Sequence, residues 1–83
     1  MKKYLVDIYL PTIGKHLNVF LPSSKEIGEI IGLLARAAEN LSGGSYRGTP
    51  NTMLLNALDG VPYDLFITVE EAGIRNASQL ILI

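Results

Sequence analysis

Apolar and polar residues alternate along two segments near the start of the chain. Within residues 4–10 every second residue is apolar, so these side chains share one face of a strand. Residues 17–21 repeat the pattern after a short loop that contains Gly14. A period of two is typical of strands with one buried face, and glycine supplies the positive φ that short loops need. The pattern predicts a β-hairpin in which the residues of each strand that share a face are Tyr4, Val6, Ile8 and Leu10, and Leu17, Val19 and Leu21. The residues taken to face the helix are Val6, Ile8, Leu17, Val19, Leu80 and Leu82.

A helical period follows the hairpin. From Ile27 onward apolar residues recur three and four positions apart, which predicts a helix near residues 24–40. Its start has two candidates, because Ser23 with Glu26 fits a capping box and Ser24 is an equally good N-cap. We expect four of its residues to be buried against the sheet: Ile27, Ile31, Leu34 and Ala38.

Two glycines interrupt this helix, and a polar loop follows it. Gly28 and Gly32 each cost about 1 kcal/mol relative to alanine. They either leave a groove for a foreign backbone or pack against the chain's own loop at residues 42–51, the interpretation we favour. That loop is rich in Ser, Gly, Pro, Thr and Asn, and we expect it to be mobile.

The second half of the chain predicts shorter elements. Residues 52–58 are a third strand whose buried face the pattern does not define. An Asp-Gly turn at 59–60 leads to a short edge strand at 61–64. Thr68 and Glu71 fit a capping box that begins one helical turn, and residues 79–83 are the last strand.

Composition narrows the classes of function. The 83 residues form one domain, 1–83, with no cysteine and one histidine, so thiolate metal sites and sites built on two histidines are excluded. A net charge of −1 argues against a nucleic-acid partner. No apolar run approaches the ~18 residues of a membrane span, so we expect a cytoplasmic protein without direct membrane insertion.

Charge is unevenly distributed along the chain. Residues 1–25 carry four lysines against one aspartate, whereas residues 48–83 carry one arginine against four carboxylates. Such a dipolar surface can steer a partner, although it is more often incidental.

No group of residues predicts catalysis. His16 is interpreted as a solvated turn histidine, and Glu70 with Glu71 as a helix cap on a solvated face. Gly48-Thr49 lacks the lysine-hydroxyl pair of a phosphate-binding loop. We therefore predict no enzyme activity, no catalytic residue, no cofactor and no metal.

The face of the sheet that points away from the helix is unusually apolar. A sheet covered on one side normally alternates apolar with polar residues, yet here large apolar side chains occupy both faces. Scattered surface residues and a docking patch explain this about equally well. The candidate protein-interaction residues are Leu5, Tyr9, Phe20, Ile81 and Ile83.

The order of elements resembles the ubiquitin-like β-grasp fold: hairpin, amphipathic helix, strand, turn, helical turn, final strand. Residues 58–64, 68–76 and 80–82 are similar to the YukD/EsaB group of ubiquitin-like proteins of bacterial type VII secretion, and to the ubiquitin-like domain of that system's membrane channel component. Where that pattern has Gly-Asp, this chain has Ala77-Ser78. Because Asn76 tolerates positive φ, we expect the turn to survive in a shifted form.

The resemblance implies an α+β fold, a four- to five-stranded mixed sheet with one long helix packed across it. It also implies a non-catalytic accessory or regulatory protein of type VII secretion that contacts secretion components or a second copy of itself. The tail of two glycines that conjugated relatives carry is absent after Ile83, so we expect no conjugation. The alternative is a generic ubiquitin-like adaptor domain in another pathway, and the outer face is where ubiquitin-like domains commonly engage partners.

Overall fold

A computed structural model describes residues 2–83 as one mixed sheet with a helix across it. The strands lie in the order β2-β1-β4-β3; β1 and β4 are parallel, and the other pairs are antiparallel. This is the α+β arrangement predicted from the sequence, with four strands. The elements are β1 (Lys3–Leu10), β2 (Lys15–Pro22), α1 (Ile27–Leu41), β3 (Leu54–Asn56) and β4 (Gln79–Leu82).

The hairpin of β1 and β2 has the predicted phase. The four even-numbered apolar residues of β1 are buried beneath α1, together with Leu21 of β2. Leu17 and Val19 point to the same face but are only partly buried. They are less buried because β2 is an edge strand of the sheet and has a neighbouring strand on one side only.

The first turn of α1 is capped by backbone carbonyls rather than by a serine. The helix begins at Ile27, and no side chain caps it at Glu26, so both serine candidates were wrong. The Ile27 amide donates to the Ile67 carbonyl and the Gly28 amide to the Leu65 carbonyl, each at 2.9 Å. Amides of a first helical turn have no partner within the helix, and here the segment at 65–67 supplies one.

This capping explains Gly28 and corrects the partner we expected for it. A Cβ on Gly28 would lie 3.3 Å from the Leu65 carbonyl oxygen, so a glycine lets the two backbones meet; Gly32 faces open space. The loop at 42–51 does pack against α1, but through its own glycine, because a Cβ on Gly48 would lie 2.8 Å from the Ala35 Cβ.

The loop at 42–51 is anchored by a buried tyrosine that sequence reasoning left out of the core. Tyr46 is 2% exposed and belongs to the hydrophobic core. Two hydrogen bonds connect this part of the loop to the end of α1. The Tyr46 amide donates to the Ser42 hydroxyl, and the Gly48 amide donates to a Glu39 carboxylate oxygen. The single large aromatic ring of this polar loop is therefore part of the core.

Strand β3 is shorter than expected and is covered along its outer side. The chain turns at Gly60, which has φ of +70°, and returns past β3. The Asn56 amide donates to the Val61 carbonyl and the Tyr63 amide to the Leu54 carbonyl, both at 3.0 Å. The expected fifth strand is therefore reduced to a single bridge between residues 55 and 62.

The segment at residues 68–78, which leads into β4, contains the expected capping box and one unexpected backbone conformation. Thr68 and Glu71 exchange two side-chain-to-amide hydrogen bonds, and Gly73 ends the turn with φ of +81°. Ahead of β4 the positive φ falls on Ala77, at +69°, and not on Asn76. The Asn76 side chain instead accepts a hydrogen bond from the Leu5 amide at 2.9 Å.

Candidate protein-interaction surface

Strand register arranges the outer face of the sheet into rows. Leu5 lies opposite Phe20, Asp7 lies between Asn18 and Gln79, and Tyr9 lies between His16 and Ile81. Because side chains alternate along each strand, all of these residues point away from α1. The five predicted interaction residues therefore share one face, as the alternation indicated, with Phe20 the most exposed at 63%.

The same register divides these residues into two groups. A polar row of three side chains crosses the face between Phe20 and Tyr9, formed by Asn18, Asp7 and Gln79. The single contiguous patch that we expected is therefore absent. We call the group of Leu5 and Phe20 the Phe20 patch.

The second group is larger because β3 contributes to it. Leu55 lies opposite Ile81, and Met53 exchanges two backbone hydrogen bonds with Ile83. Sequence analysis missed Met53 and Leu55, because their strand contains a run of apolar residues whose phase only the pairing with β4 defines. We call this group the Tyr9 patch; it consists of Tyr9, Ile81, Ile83, Met53 and Leu55.

His16 borders the Tyr9 patch and is not simply a solvated turn residue. Its Nδ1 lies 3.0 Å from an Asp7 carboxylate oxygen, and its ring stacks on Tyr9 with centroids 4.7 Å apart. Both side chains are in contact with solvent. His16 therefore contacts two neighbours on the outer face, the Asp7 carboxylate and the Tyr9 ring.

A second surface network joins the start of β1 to the turn before β4. The Tyr4 hydroxyl donates to a Glu70 carboxylate oxygen at 2.8 Å, and the Lys2 ammonium lies 3.1 Å from the same oxygen. These two contacts lower the pKa of the Glu70 carboxyl, and the same network raises the pKa of Lys2. The Lys2 and Glu70 side chains are both exposed, so solvent screens the attraction between their charges.

Metal ligands, membrane-spanning helices and buried hydroxyls were each sought among residues 2–83. That part of the chain contains no group of three or more side chains able to hold a metal ion. Within it, no helix has the length and apolar character needed to cross a membrane. Burial raises the pKa values of the Tyr46 and Tyr63 hydroxyls, which is the ordinary effect of a tyrosine that packs on a core.

Two further apolar side chains protrude from the loops between β3 and β4. Leu58, at the tip of the turn after β3, is 88% exposed, and Phe66 is 81% exposed. Sequence analysis did not select either residue. The predicted Asp-Gly turn was the available signal for Leu58, because a residue beside such a turn is placed at a loop tip.

The architecture is that of the ubiquitin-like fold, and solved structures show the likeness over the whole chain. The EccD5 ubiquitin-like domain from Mycobacterium xenopi superposes with a TM-score of 0.84 at 18% identity, over 100% of this chain and 94% of that one. The ubiquitin-like domain of the Mycobacterium tuberculosis type VII secretion system protein EccD1 gives 0.67 at 17% identity, over 100% and 99%.

Likeness extends beyond secretion proteins. A ubiquitin-like domain of an Arabidopsis thaliana protein superposes with a TM-score of 0.70 at 19% identity, over 100% of this chain and 78% of that one. No protein-family model and no curated protein sequence matches the chain. At these identities the comparisons show the fold.

Proposed function

We propose that this chain is a non-catalytic ubiquitin-like interaction module of a bacterial type VII secretion system, acting in the cytoplasm as an accessory or regulatory component. The observation that carries the proposal is the superposition on the EccD5 domain, which has the highest TM-score of the three and covers nearly all of both chains. The resemblance of residues 58–64 and 68–76 to the YukD/EsaB group supports the same assignment.

Within this proposal the Tyr9 patch is the docking surface for a protein partner. It joins three strands of the sheet, so its side chains are held by paired backbone. Aromatic and aliphatic anchors in one cluster are what a binding hot spot requires. Leu5 and Phe20 lie beyond the polar row and form a second, smaller contact.

The assignment to secretion is tested in the source organism. We expect deletion of the gene to reduce export of type VII substrates, and the wild-type gene to restore it. A strain in which export continues unchanged would contradict the secretion role. The same result would favour the alternative, an adaptor in another pathway, for which the likeness to the plant domain is the supporting observation.

The docking surface is tested by complementing that strain with Ile81→Thr. Threonine keeps the β-branched shape that a strand favours, so the fold is retained while apolar contact is lost. The matched control is Leu58→Thr, which removes a more exposed apolar side chain outside the patch. We expect Ile81→Thr to impair export and Leu58→Thr to restore it, with both proteins showing the wild-type circular dichroism spectrum. Equal complementation by both variants would contradict the Tyr9 patch as a docking surface.

A further inference from the structure

A cleft opens beside β3, between the loop that leads into this strand and the chain that returns past it. Its volume is about 410 Å³, and ligand-binding clefts typically have volumes of about 300–1,000 Å³. None of the residues that line it is charged. We call it the Tyr63 cleft. Its apolar and aromatic lining consists of Pro50, Met53, Leu54, Pro62, Tyr63 and Leu65.

Hydrogen bonds within the domain hold both walls of the Tyr63 cleft. The Tyr63 amide donates to the Leu54 carbonyl at 3.0 Å, which joins the returning chain to the strand. The Leu65 carbonyl accepts a hydrogen bond from the Gly28 amide of α1 at 2.9 Å. A partner therefore meets a cleft that is already formed, and its binding does not have to supply the free energy of ordering these walls.

Exposed apolar side chains are concentrated around the cleft. Among residues 2–83, five of the ten large apolar side chains that are exposed lie within residues 53–66. Single apolar residues on a surface are ordinary, but a concentration of them marks an interaction site. Leu65 is 46% exposed although its own backbone is bonded to α1, so its side chain is available to a partner.

The charges around the cleft indicate the chemistry of its occupant. Residues 48–74, which include both walls, carry four carboxylates and neither a lysine nor an arginine. Asp64 lies in one wall, and burial together with the nearby Asp59 raises the pKa of the Tyr63 hydroxyl. Among residues 2–83 neither aspartate forms an ion pair. The cleft is therefore complementary to a cationic partner, and the ring of a tyrosine also attracts a guanidinium group.

We propose that the Tyr63 cleft binds a short basic segment of a partner protein, with an apolar side chain of the segment in the cleft and a flanking arginine paired with Asp64. Side chains hold the segment, because two of the lining residues are prolines and the amides of Met53 and Tyr63 already donate within the chain. The site shares only Met53 with the Tyr9 patch, and it does not depend on the assignment to secretion.

The first test is a nuclear magnetic resonance titration with the synthetic peptide Gly-Arg-Leu-Leu-Arg-Gly, blocked at both ends so that its arginines are its only charges. We expect the amide signals of residues 51–54 and 63–65 to shift, and those of β2 to stay unchanged. One control peptide has glutamate in place of both arginines, and a second has serine in place of both leucines. Each is expected to bind about tenfold more weakly, because the first reverses the charges and the second removes the apolar side chain.

Two neighbouring apolar residues give matched variants of the protein. Leu65→Ala removes part of the cleft wall and keeps the carbonyl that accepts from Gly28. Phe66→Ala is the control, because Phe66 is more exposed than Leu65 and does not line the cleft. We expect the peptide to bind Leu65→Ala about fivefold more weakly than wild type, the effect of lost apolar contact. Phe66→Ala should bind like wild type, and circular dichroism checks that both variants fold.

A second pair of variants tests the charge. Asp64→Asn removes the negative charge and keeps a side-chain oxygen that can accept from the Phe66 amide, as Asp64 does at 2.9 Å. The control is Glu70→Gln, which removes a carboxylate that contacts Lys2 and Tyr4 and does not line the cleft. We expect Asp64→Asn to weaken peptide binding about threefold, the size of an exposed ion pair, and Glu70→Gln to leave it unchanged. This pair keeps the test valid if Leu65→Ala does not fold.

Four outcomes would overturn the proposal. The arginine peptide could produce no response at millimolar concentration, or the glutamate peptide could bind equally well. The amides of residues 63–65 could stay unchanged while those of Tyr9 and Ile81 shift, which would assign the peptide to the outer face of the sheet. Finally, the amides of residues 51–54 could shift in the protein alone as its concentration rises, with the mass doubling in solution. That result would assign the cleft to a second copy of the chain.

Discussion

The two edges of the sheet are built in opposite ways. At one edge β2 is eight residues long and has one neighbour, with its outward backbone groups open. At the other edge β3 is three residues long, yet the returning chain at 61–63 covers it and Tyr46 is buried in the adjoining loop. The length of a strand is therefore a poor guide to how firmly its edge is held.

The difference indicates which edge contributes more to stability. The β3 edge contributes to the core, and its outward hydrogen bonds are made within the chain. Strand β2 pairs only with β1, its hairpin partner, so its outer side forms no strand pairing within the domain. We expect stability to depend more on the covered edge than on the open one.

The difference between the two edges is tested most directly by replacing one leucine with alanine at each edge. Leu54→Ala removes a fully buried leucine at the covered edge, and Leu17→Ala removes a partly buried one at the open edge. We expect the first to lower the free energy of unfolding by about 2–5 kcal/mol. The second should lower it by about 1 kcal/mol, because less apolar surface leaves water there. Urea denaturation measures both, and equal losses would contradict the distinction between the edges.

A second prediction concerns the segment that leads into β4, where the Ala77 amide donates to the Leu5 carbonyl of β1. Ala77 holds φ of +69°, which costs an L-residue about 1–2 kcal/mol. Ala77→Gly relieves this cost but adds about 0.5–1 kcal/mol of chain entropy, so we expect a net stabilisation of about 0.5–1 kcal/mol. Ala57→Gly is the matched control, because Ala57 does not have a positive φ and should be destabilised. If both variants lose stability in thermal melts, Ala77 is not strained.

The smallest effect on stability is expected at Glu70, where the Tyr4 hydroxyl and the Lys2 ammonium connect the start of β1 to the turn before β4. The hydrogen bond from Tyr4 and the nearby Lys2 lower the pKa of Glu70, so the folded state favours its charged form. The resulting stabilisation is present above the unfolded pKa of about 4.3 and is lost as the pH falls through the lower folded value. We expect Glu70→Gln to make stability less dependent on pH below about pH 5.

The control for this measurement is Glu26→Gln. Glu26 forms no ion pair among residues 2–83, so its replacement removes a carboxylate without touching the Tyr4 contact. Denaturation midpoints measured from neutral to acid pH compare the two variants with wild type. Parallel curves for Glu70→Gln and wild type would show that the surface network contributes nothing to stability.

Sequence reasoning succeeded where the signal is local. Alternation in residues 4–10 predicted the buried face of β1, the helical stripe predicted four of the five buried residues of α1, and the Thr68–Glu71 capping box formed as predicted. Each of these depends on neighbours a few positions apart in the chain.

Sequence reasoning failed where contacts with a distant segment determine where a helix starts or which way a side chain points. The start of α1 is set by carbonyls at 65–67 and not by a nearby serine, and the outward direction of Leu55 is set by pairing with β4. Tyr46 stands alone in a polar loop, so no periodicity predicted its burial. The polar row that divides the outer face follows from cross-strand register, which one strand cannot show.

The carbonyl caps on α1 also constrain the order in which the domain can assemble. The amides of Ile27 and Gly28 are paired with groups about 40 residues later in the chain. During synthesis the β1–β2 hairpin and most of α1 exist before those groups do, so the helix end nearest the hairpin stays frayed until the later segment arrives. Closing so long a loop is slow relative to local turns. We therefore expect the first turn of α1 to form late in folding, although the sequence of the helix is the strongest helical signal in the chain.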